Sequence, residues 1–234
     1  MKHWSTAAII ALLLSTSAVA DENGWDGKLG LGWLASGGNT DTANLNVYGE
    51  GEYTINRWHH GLKALAYSAE TDSINTAERY KAGYKGKYDL RDIDYLFGAI
   101  DYEKDKFSGI DEQTSEVLGY GRRLYNNDVR QWNVEAGLGA KQSELRDTTS
   151  QDETIVFLGT DYTWKFSESG TFGWDLSIDA GEDNTLYEST TSVSSNLVNT
   201  LALVAAYTIK FNTDVPDPSD DTDTYSSISL EYAF

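Results

Sequence analysis

From Trp25 to the carboxy terminus, apolar and polar residues alternate in segments about ten residues long, each broken by Gly, Asn, Asp or Ser. A period of two gives every segment one apolar and one polar face. It leaves no room for the amphipathic helices or long apolar runs by which a soluble domain of this length builds a core. The clearest case sets Leu197, Leu201, Leu203, Ala205, Tyr207, Ile209 and Phe211 on one side and Thr200, Thr208, Lys210 and Asn212 on the other. Three more segments match it. Trp132, Val134, Ala136, Leu138 and Ala140 oppose Gln131, Asn133, Glu135 and Lys141. Thr154, Val156, Leu158, Tyr162, Trp164 and Phe166 oppose Asp161, Thr163 and Lys165, and Phe172, Trp174, Leu176, Ile178 and Ala180 oppose Asp175, Ser177 and Asp179. Twelve such segments can be counted, centred near residues 30, 48, 64, 82, 99, 119, 136, 159, 176, 190, 204 and 229. Ten strands is the alternative count: the sixth segment sets Val117 and Leu118 beside Arg122 and Arg123, and the tenth is dominated by Ser and Thr.

The ends of the chain add a compartment. Lys2, an apolar run from Ala7 to Leu14 and small residues closing on Ala18-Val19-Ala20 form a cleavable export signal over residues 1–20. The run is too short to span a bilayer, which takes about 20 residues. The mature part, residues 21–234, is expected to be a single domain. It carries 17 Lys and Arg (18 less Lys2) against 37 Asp and Glu, a net charge of −20. Such a chain repels phosphate, and nucleic acid is excluded as a partner. Cysteine is absent, so neither disulfides nor thiolate metal sites arise, and no cofactor is implied.

A soluble β-sandwich would show the same alternation. The aromatics discriminate, because a membrane barrel girdles both interfaces with them. With a periplasmic amino terminus, Trp58, Tyr88, Trp132, Trp164, Phe172, Trp174, Tyr232 and Phe234 fall at the inner rim, and Trp33, Tyr80, Tyr102, Tyr207 and Phe211 at the outer one. The inner connections (Asn56-Arg57, Asp89 to Asp92, Asn126 to Asp128, Ser167 to Gly170, Ser194 to Asn196) are short, whereas several outer ones are expected to be longer and acidic. Both prolines, Pro216 and Pro218, fall in a longer loop, where no ladder N–H is needed. Closure follows from the solvent: lipid offers no partner to an open sheet edge. These observations predict an all-β, closed antiparallel transmembrane β-barrel in the bacterial outer membrane, monomeric because no outward face is flat and small enough for a subunit contact. Leu230, Tyr232 and Phe234 alternate to a terminal phenylalanine, resembling the signal read by the outer-membrane barrel assembly machinery.

Several motifs then resemble a known family. They are Gly30-Leu31-Gly32 with Ser36-Gly37-Gly38-Asn39-Thr40-Asp41, Thr76-Ala77-Glu78-Arg79-Tyr80, Asp94-Tyr95-Leu96-Phe97-Gly98, Phe107-Ser108-Gly109, Gly119-Tyr120-Gly121-Arg122-Arg123 and Gly181-Glu182-Asp183-Asn184. Across essentially the whole mature chain they resemble the YdiY-like family of salt-induced outer-membrane proteins, a domain of unknown function. The resemblance implies a barrel, an outer-membrane location and a link to salt or osmotic conditions, and supplies no catalytic residues.

Candidate functional residues are therefore read from the alternation. The inward set comprises Glu50, Glu52, Lys63, Arg79, Lys81, Lys85, Asp101, Glu103, Glu135, Lys141, Asp161, Lys165, Asp175, Asp179 and Glu231. Both signs are present, which suits a narrow diffusion channel for ions or small solutes, or a bore filled by interleaved ion pairs. About twelve strands enclose more space than the eight whose side chains just fill a barrel. Outer acidic residues (Glu70, Asp72, Glu103, Asp105, Asp111, Glu112, Asp147, Asp152, Glu182, Asp183 and Asp214 through Asp223) form an expected acidic rim. It is read first as a solvated acidic surface adapted to a salty medium, because no stretch has calcium-loop spacing; the alternatives are capture of divalent cations that bridge to lipopolysaccharide phosphates, and a surface role in which Asn39, Asp41 and the acidic loops touch lipopolysaccharide, a partner or a ligand. The histidines His59 and His60 adjoin the inner turn, on opposite faces of one strand, which excludes a two-His metal site. They are read as interfacial polar residues beside Trp58, and catalysis is not expected.

Overall fold

A computed structural model describes residues 24–36 and 42–234. The expected signal segment at residues 1–20 and the residues Asn39 and Asp41 lie outside this range. Twelve strands follow one another: β1 (Trp25–Ser36), β2 (Thr42–Ile55), β3 (Trp58–Thr71), β4 (Ile74–Asp89), β5 (Asp94–Asp105), β6 (Ile110–Asn126), β7 (Arg130–Leu145), β8 (Ser150–Lys165), β9 (Gly170–Ala180), β10 (Thr185–Val198), β11 (Leu201–Asn212) and β12 (Thr222–Ala233). Each pairs antiparallel with its chain neighbours, and β1 pairs with β12 to close the barrel. Twelve is the count read from the alternation, and the ten-strand alternative falls. The shortest strand has 11 residues and the longest 17, enough for the roughly 9–11 that a tilted strand needs to cross a bilayer.

The outer surface carries the apolar faces. Leu118, Leu138 and Trp33 are 75%, 67% and 72% exposed, a greasy exterior that water would not tolerate and lipid would. Rings gather at both rims. Trp25 meets Tyr53, Trp58 meets Tyr88, and Trp132 meets Tyr162 near the end that holds Trp25 and Phe234, while Tyr187 meets Phe211 near the other. In the sixth strand Leu118 faces out, whereas Val117 is buried and Arg123 turns inward onto Asp89.

Three expectations are corrected. The turn between the tenth and eleventh strands lies at 199–200, because β10 runs through Ser194, Ser195 and Asn196 to Val198, and Leu197 therefore belongs to β10. The described outer connections are shorter than expected: among them only the segment 213–221, with both prolines, is long, and Asp72-Ser73 is a two-residue turn. Much of the expected acidic rim is strand: Glu70, Glu103, Asp105, Asp111, Glu112, Asp152 and Asp223 all lie within strands. Strands outrun the apolar stretch because backbone pairing continues beyond the hydrocarbon, and Glu103 and Asp105 are buried inside.

The interior is asymmetric. On the side formed by β5 to β8, Tyr95, Phe97, Val117 and Ile155 pack into an apolar cluster, with Phe157 against it. Inward rings lie flat on glycines of the facing strand: Tyr95 is paired with Gly121, and Tyr48 with Gly30. A Cβ on Gly30 would fall 2.1 Å from the Tyr48 ring. Glycine here lets the ring lie against the wall and leaves the bore free.

Candidate functional site

The alternation fixes which side chains enter the bore, and closure fixes which of them meet. Arg79 on β4 donates from Nη2 to Glu188 Oε2 on β10 at 2.5 Å, and Lys81 Nζ reaches Glu188 Oε1 at 2.8 Å. These strands stand six apart in a ring of twelve, diametrically opposite. Glu103 on β5 accepts Arg79 Nε at 3.0 Å and Lys210 Nζ, from the opposite strand β11, at 2.5 Å. Arg79 also stacks 4.6 Å above the Tyr225 ring, whose hydroxyl donates to Asp105. The result is a brace of three cations and two carboxylates tying opposite walls together, near the end away from Trp25 and Phe234. Lys210, Arg79 and Glu103 are almost wholly buried. Ions so far from water persist only when each is paired and hydrogen-bonded.

Two further interior clusters flank the brace. Lys141 pairs with Glu153 at 3.0 Å, and Glu153 Oε1 accepts the backbone N–H of Asp183 and Asn184, clamping the β9–β10 turn over the bore. Lys85 donates to Glu135 at 2.6 Å, Tyr95 donates to the other oxygen at 2.9 Å, and Lys85 sits 5.0 Å above the Phe97 ring. Beneath the brace lies a cavity of about 240 Å³, walled by β9 to β12 and β1 to β4. In it Lys28 pairs with Glu50 at 3.2 Å and Glu231 at 3.6 Å, and the Tyr48 hydroxyl donates to Glu231. Lys63 faces the carboxylates of Glu50, Asp175, Asp161 and Asp101. Lys63 and Asp101 are water-exposed although both point inward.

Every inward candidate from the sequence lies on the interior face by register. They do not form one site. Arg79, Lys81 and Glu103 join the brace, Lys85 and Glu135 form the lower pair, and Lys141 holds a turn. Glu50, Asp175 and Glu231 line the cavity. Asp161 accepts from Asn133, Asp179 lies on β9 above Asp175, and Glu52 and Lys165 sit close to the rim that carries Trp25 and Phe234. Sequence reasoning left Glu188, Lys210 and Lys28 out of the inward candidates, although it set Lys210 on the polar face of its strand. Glu188 shares its face with Leu186 and Thr190 in a strand of weak contrast, and nothing local marks it as the partner of Arg79.

His59 and His60 part company. His60 stays on the outer face, stacked near Trp58 and bonded to the Tyr84 hydroxyl at 2.8 Å. His59 is not interfacial: it turns inward between Thr54 at 3.1 Å and Asp89 at 2.9 Å, and Arg123 binds the far oxygen of Asp89 at 2.7 Å. This polar chain ties β2, β3, β4 and β6 at the rim. Among the described residues no cluster of His, Cys, Asp and Glu could hold a metal ion.

Comparison with known proteins agrees with this architecture. The uncharacterized protein YdiY of Escherichia coli (strain K12) is 28% identical over 215 residues, covering 89% of this chain and 83% of that protein. Among solved structures, the KdgM porin superposes with a TM-score of 0.50 at 9% identity, covering 89% of this chain and 99% of that one. The translocator domain of the autotransporter NalP from Neisseria meningitidis gives 0.50 at 10% identity, covering 92% and 90%. At such identities the likeness concerns the fold, a closed barrel of the outer-membrane type. Residues 29–234 match the family model described as "Protein of unknown function, DUF481", and the chain belongs to that family.

Proposed function

We propose that this barrel is a narrow channel of the bacterial outer membrane for small ions and solutes, its bore restricted by the brace between β4, β5, β10 and β11. The observation that carries the reading is the combination of water-exposed Lys63 and Asp101 inside the barrel with ion pairs of 2.5–2.8 Å bridging opposite walls above them. Asp101, Asp175 and Asp179 make no direct ion pair among the described residues, so cations should be favoured over anions. In this proposal residues 1–20 are removed on export, the chain stays monomeric in a bilayer with lipopolysaccharide, and Leu230, Tyr232 and Phe234 serve its insertion. Their outward alternation beside the β1–β12 closure supports that role. We extend the proposal to a response to salt conditions, and what supports it is the brace, since screening weakens ion pairs in its more exposed members.

The second reading is an electrically silent structural barrel. The apolar cluster filling the β5 to β8 side of the bore favours it. Planar-bilayer recording separates the two. The channel reading expects a small conductance with cation preference that increases when Arg79→Gln or Lys81→Gln unties the walls. Silence in the wild type and both variants would establish the structural reading.

A further inference from the structure

Two cavities meet at Asn46. One is the 240 Å³ space beneath the brace, whose β10 to β12 wall presents Thr190, Ser192, Ser227 and Ser229. The other, about 140 Å³, cuts through the barrel wall: Trp33, Ser226 and Ile228 reach it from the lipid-facing side, Asn44, Asn46 and Tyr67 from the interior. It exists because the closing seam is only half zipped. The backbones of Gly27 and Phe234 bond to each other, and pairs run from Lys28–Ala233 up to Leu31–Leu230. Among the described residues no pair continues upward, although β1 stays laddered to β2 as far as Ser36 and β12 to β11 as far as Thr222. Gly32 still presses on β12, where a Cβ would fall 2.4 Å from the Ile228 carbonyl oxygen. Beyond that point no register pair joins the two strands among the described residues, at the level of Trp33 in the outer aromatic girdle.

Backbone edges left open against lipid need a partner. So does Asn46. Its side chain is buried, 6% exposed, and Nδ2 donates to Ser229 Oγ at 3.1 Å, which leaves Oδ1 without a hydrogen bond among the described residues. A buried carbonyl in that state is costly, and an O–H donor relieves it. Most charges around the cavity are already satisfied: Lys28 holds Glu50 and Glu231, while Arg79 and Lys81 hold Glu188, which leaves Asp175 on the β9 wall as a lining carboxylate with no ion pair among the described residues and free to accept from hydroxyls. What remains for recognition is hydroxyl, amide and carboxylate acceptor chemistry inside and apolar surface at Trp33 and Ile228 outside. The brace obstructs the axial path above this cavity, whereas the seam leads sideways to the membrane.

We propose that the unzipped halves of β1 and β12 form a lateral portal, and that the cavity takes the head of a single-chain amphiphile. The head is uncharged and bears hydroxyls, and its chain passes between Trp33 and Ile228 into the outer leaflet. The proposal rests on the membrane reading but not on ion conduction.

The test is photolabelling of the whole barrel in phospholipid vesicles with a monoacylglycerol carrying a diazirine on its chain, followed by peptide mapping. Label should concentrate several-fold on the segments holding Trp33 and Ile228 relative to Leu118 and Leu138, which cover the opposite wall. Asn46→Leu and Ser229→Val should each remove that enrichment, while Thr163→Val, an inward hydroxyl outside the cavity, should not. A phosphatidylcholine with the same photoreactive chain should label all lipid-facing strands alike. Even labelling by the monoacylglycerol, equal enrichment by the phosphatidylcholine, or enrichment that survives both cavity substitutions would overturn the portal. A protein silent in planar bilayers yet labelled at the seam would refute conduction alone, and one that never enters vesicles would refute the membrane reading itself.

Discussion

Removing one carboxylate from the brace gives a graded and measurable penalty. Glu188→Gln takes away the charge that accepts Arg79 Nη2 at 2.5 Å and Lys81 Nζ at 2.8 Å. Two charge-assisted bonds are worth about 1.5–3 kcal/mol each, but the loss is partial. Gln keeps a carbonyl acceptor, Arg79 keeps Glu103, and Lys81, with its side chain 31% exposed, recovers water. The expected cost is about 2–3 kcal/mol. Glu103→Gln should cost more, about 3–5 kcal/mol, because it strands Lys210, 1% exposed, with no other carboxylate partner among the described residues. Denaturant unfolding of the barrel in lipid vesicles measures both. A double-mutant cycle between Arg79→Gln and Glu188→Gln isolates the contact across the bore, and should give roughly 1.5–3 kcal/mol of coupling. Coupling below about 0.3 kcal/mol, the scatter expected of independent sites, would mean that β4 and β10 are not tied, and the argument for a restricted bore would go with it.

Gly30→Leu forces Tyr48 off the wall and into the cavity, breaking its bond to Glu231; a loss of about 1–3 kcal/mol is expected in the same unfolding assay, and an unchanged midpoint would contradict the ring's placement. Ser73→Gly should instead stabilise by about 0.5–1 kcal/mol, since Ser73 sits at φ 65° in the tight β3–β4 turn and glycine takes that conformation without strain; a destabilised variant would refute the turn geometry. In the β7–β8 turn the Asp147 carboxylate accepts the Thr149 N–H at 2.9 Å, which holds its carboxyl below the usual aspartate range. A lowered folded value means that the turn's contribution is present above the ordinary pKa and is lost as pH falls through the lowered one. Hydrogen exchange at the Thr149 amide should lose protection on that side of the aspartate range, and protection lost already at the ordinary aspartate pKa, or never, would count against the bond.

The alternation determined the strands because a period of two is local: each residue's face depends only on its neighbours in the chain. Twelve segment centres, the outward rings and the inward charges followed from it. The same reading placed Glu103 both at an acidic rim and in the bore, since the length of a ladder depends on the partner strand and not on the segment. It also passed over Tyr95, Phe97, Val117 and Ile155 as interior groups, because an inward apolar residue breaks no rule until closure packs it against others. What only the tertiary structure decided are the encounters across the ring. Arg79 and Glu188 are 109 residues apart and on strands that never touch; closing twelve strands brings them to bonding distance. The half-zipped seam is of the same kind, for β1 is laddered to β2 as far as Ser36 and β12 to β11 as far as Thr222, and only closure of the ring sets the first strand against the last, in register from Lys28–Ala233 to Leu31–Leu230.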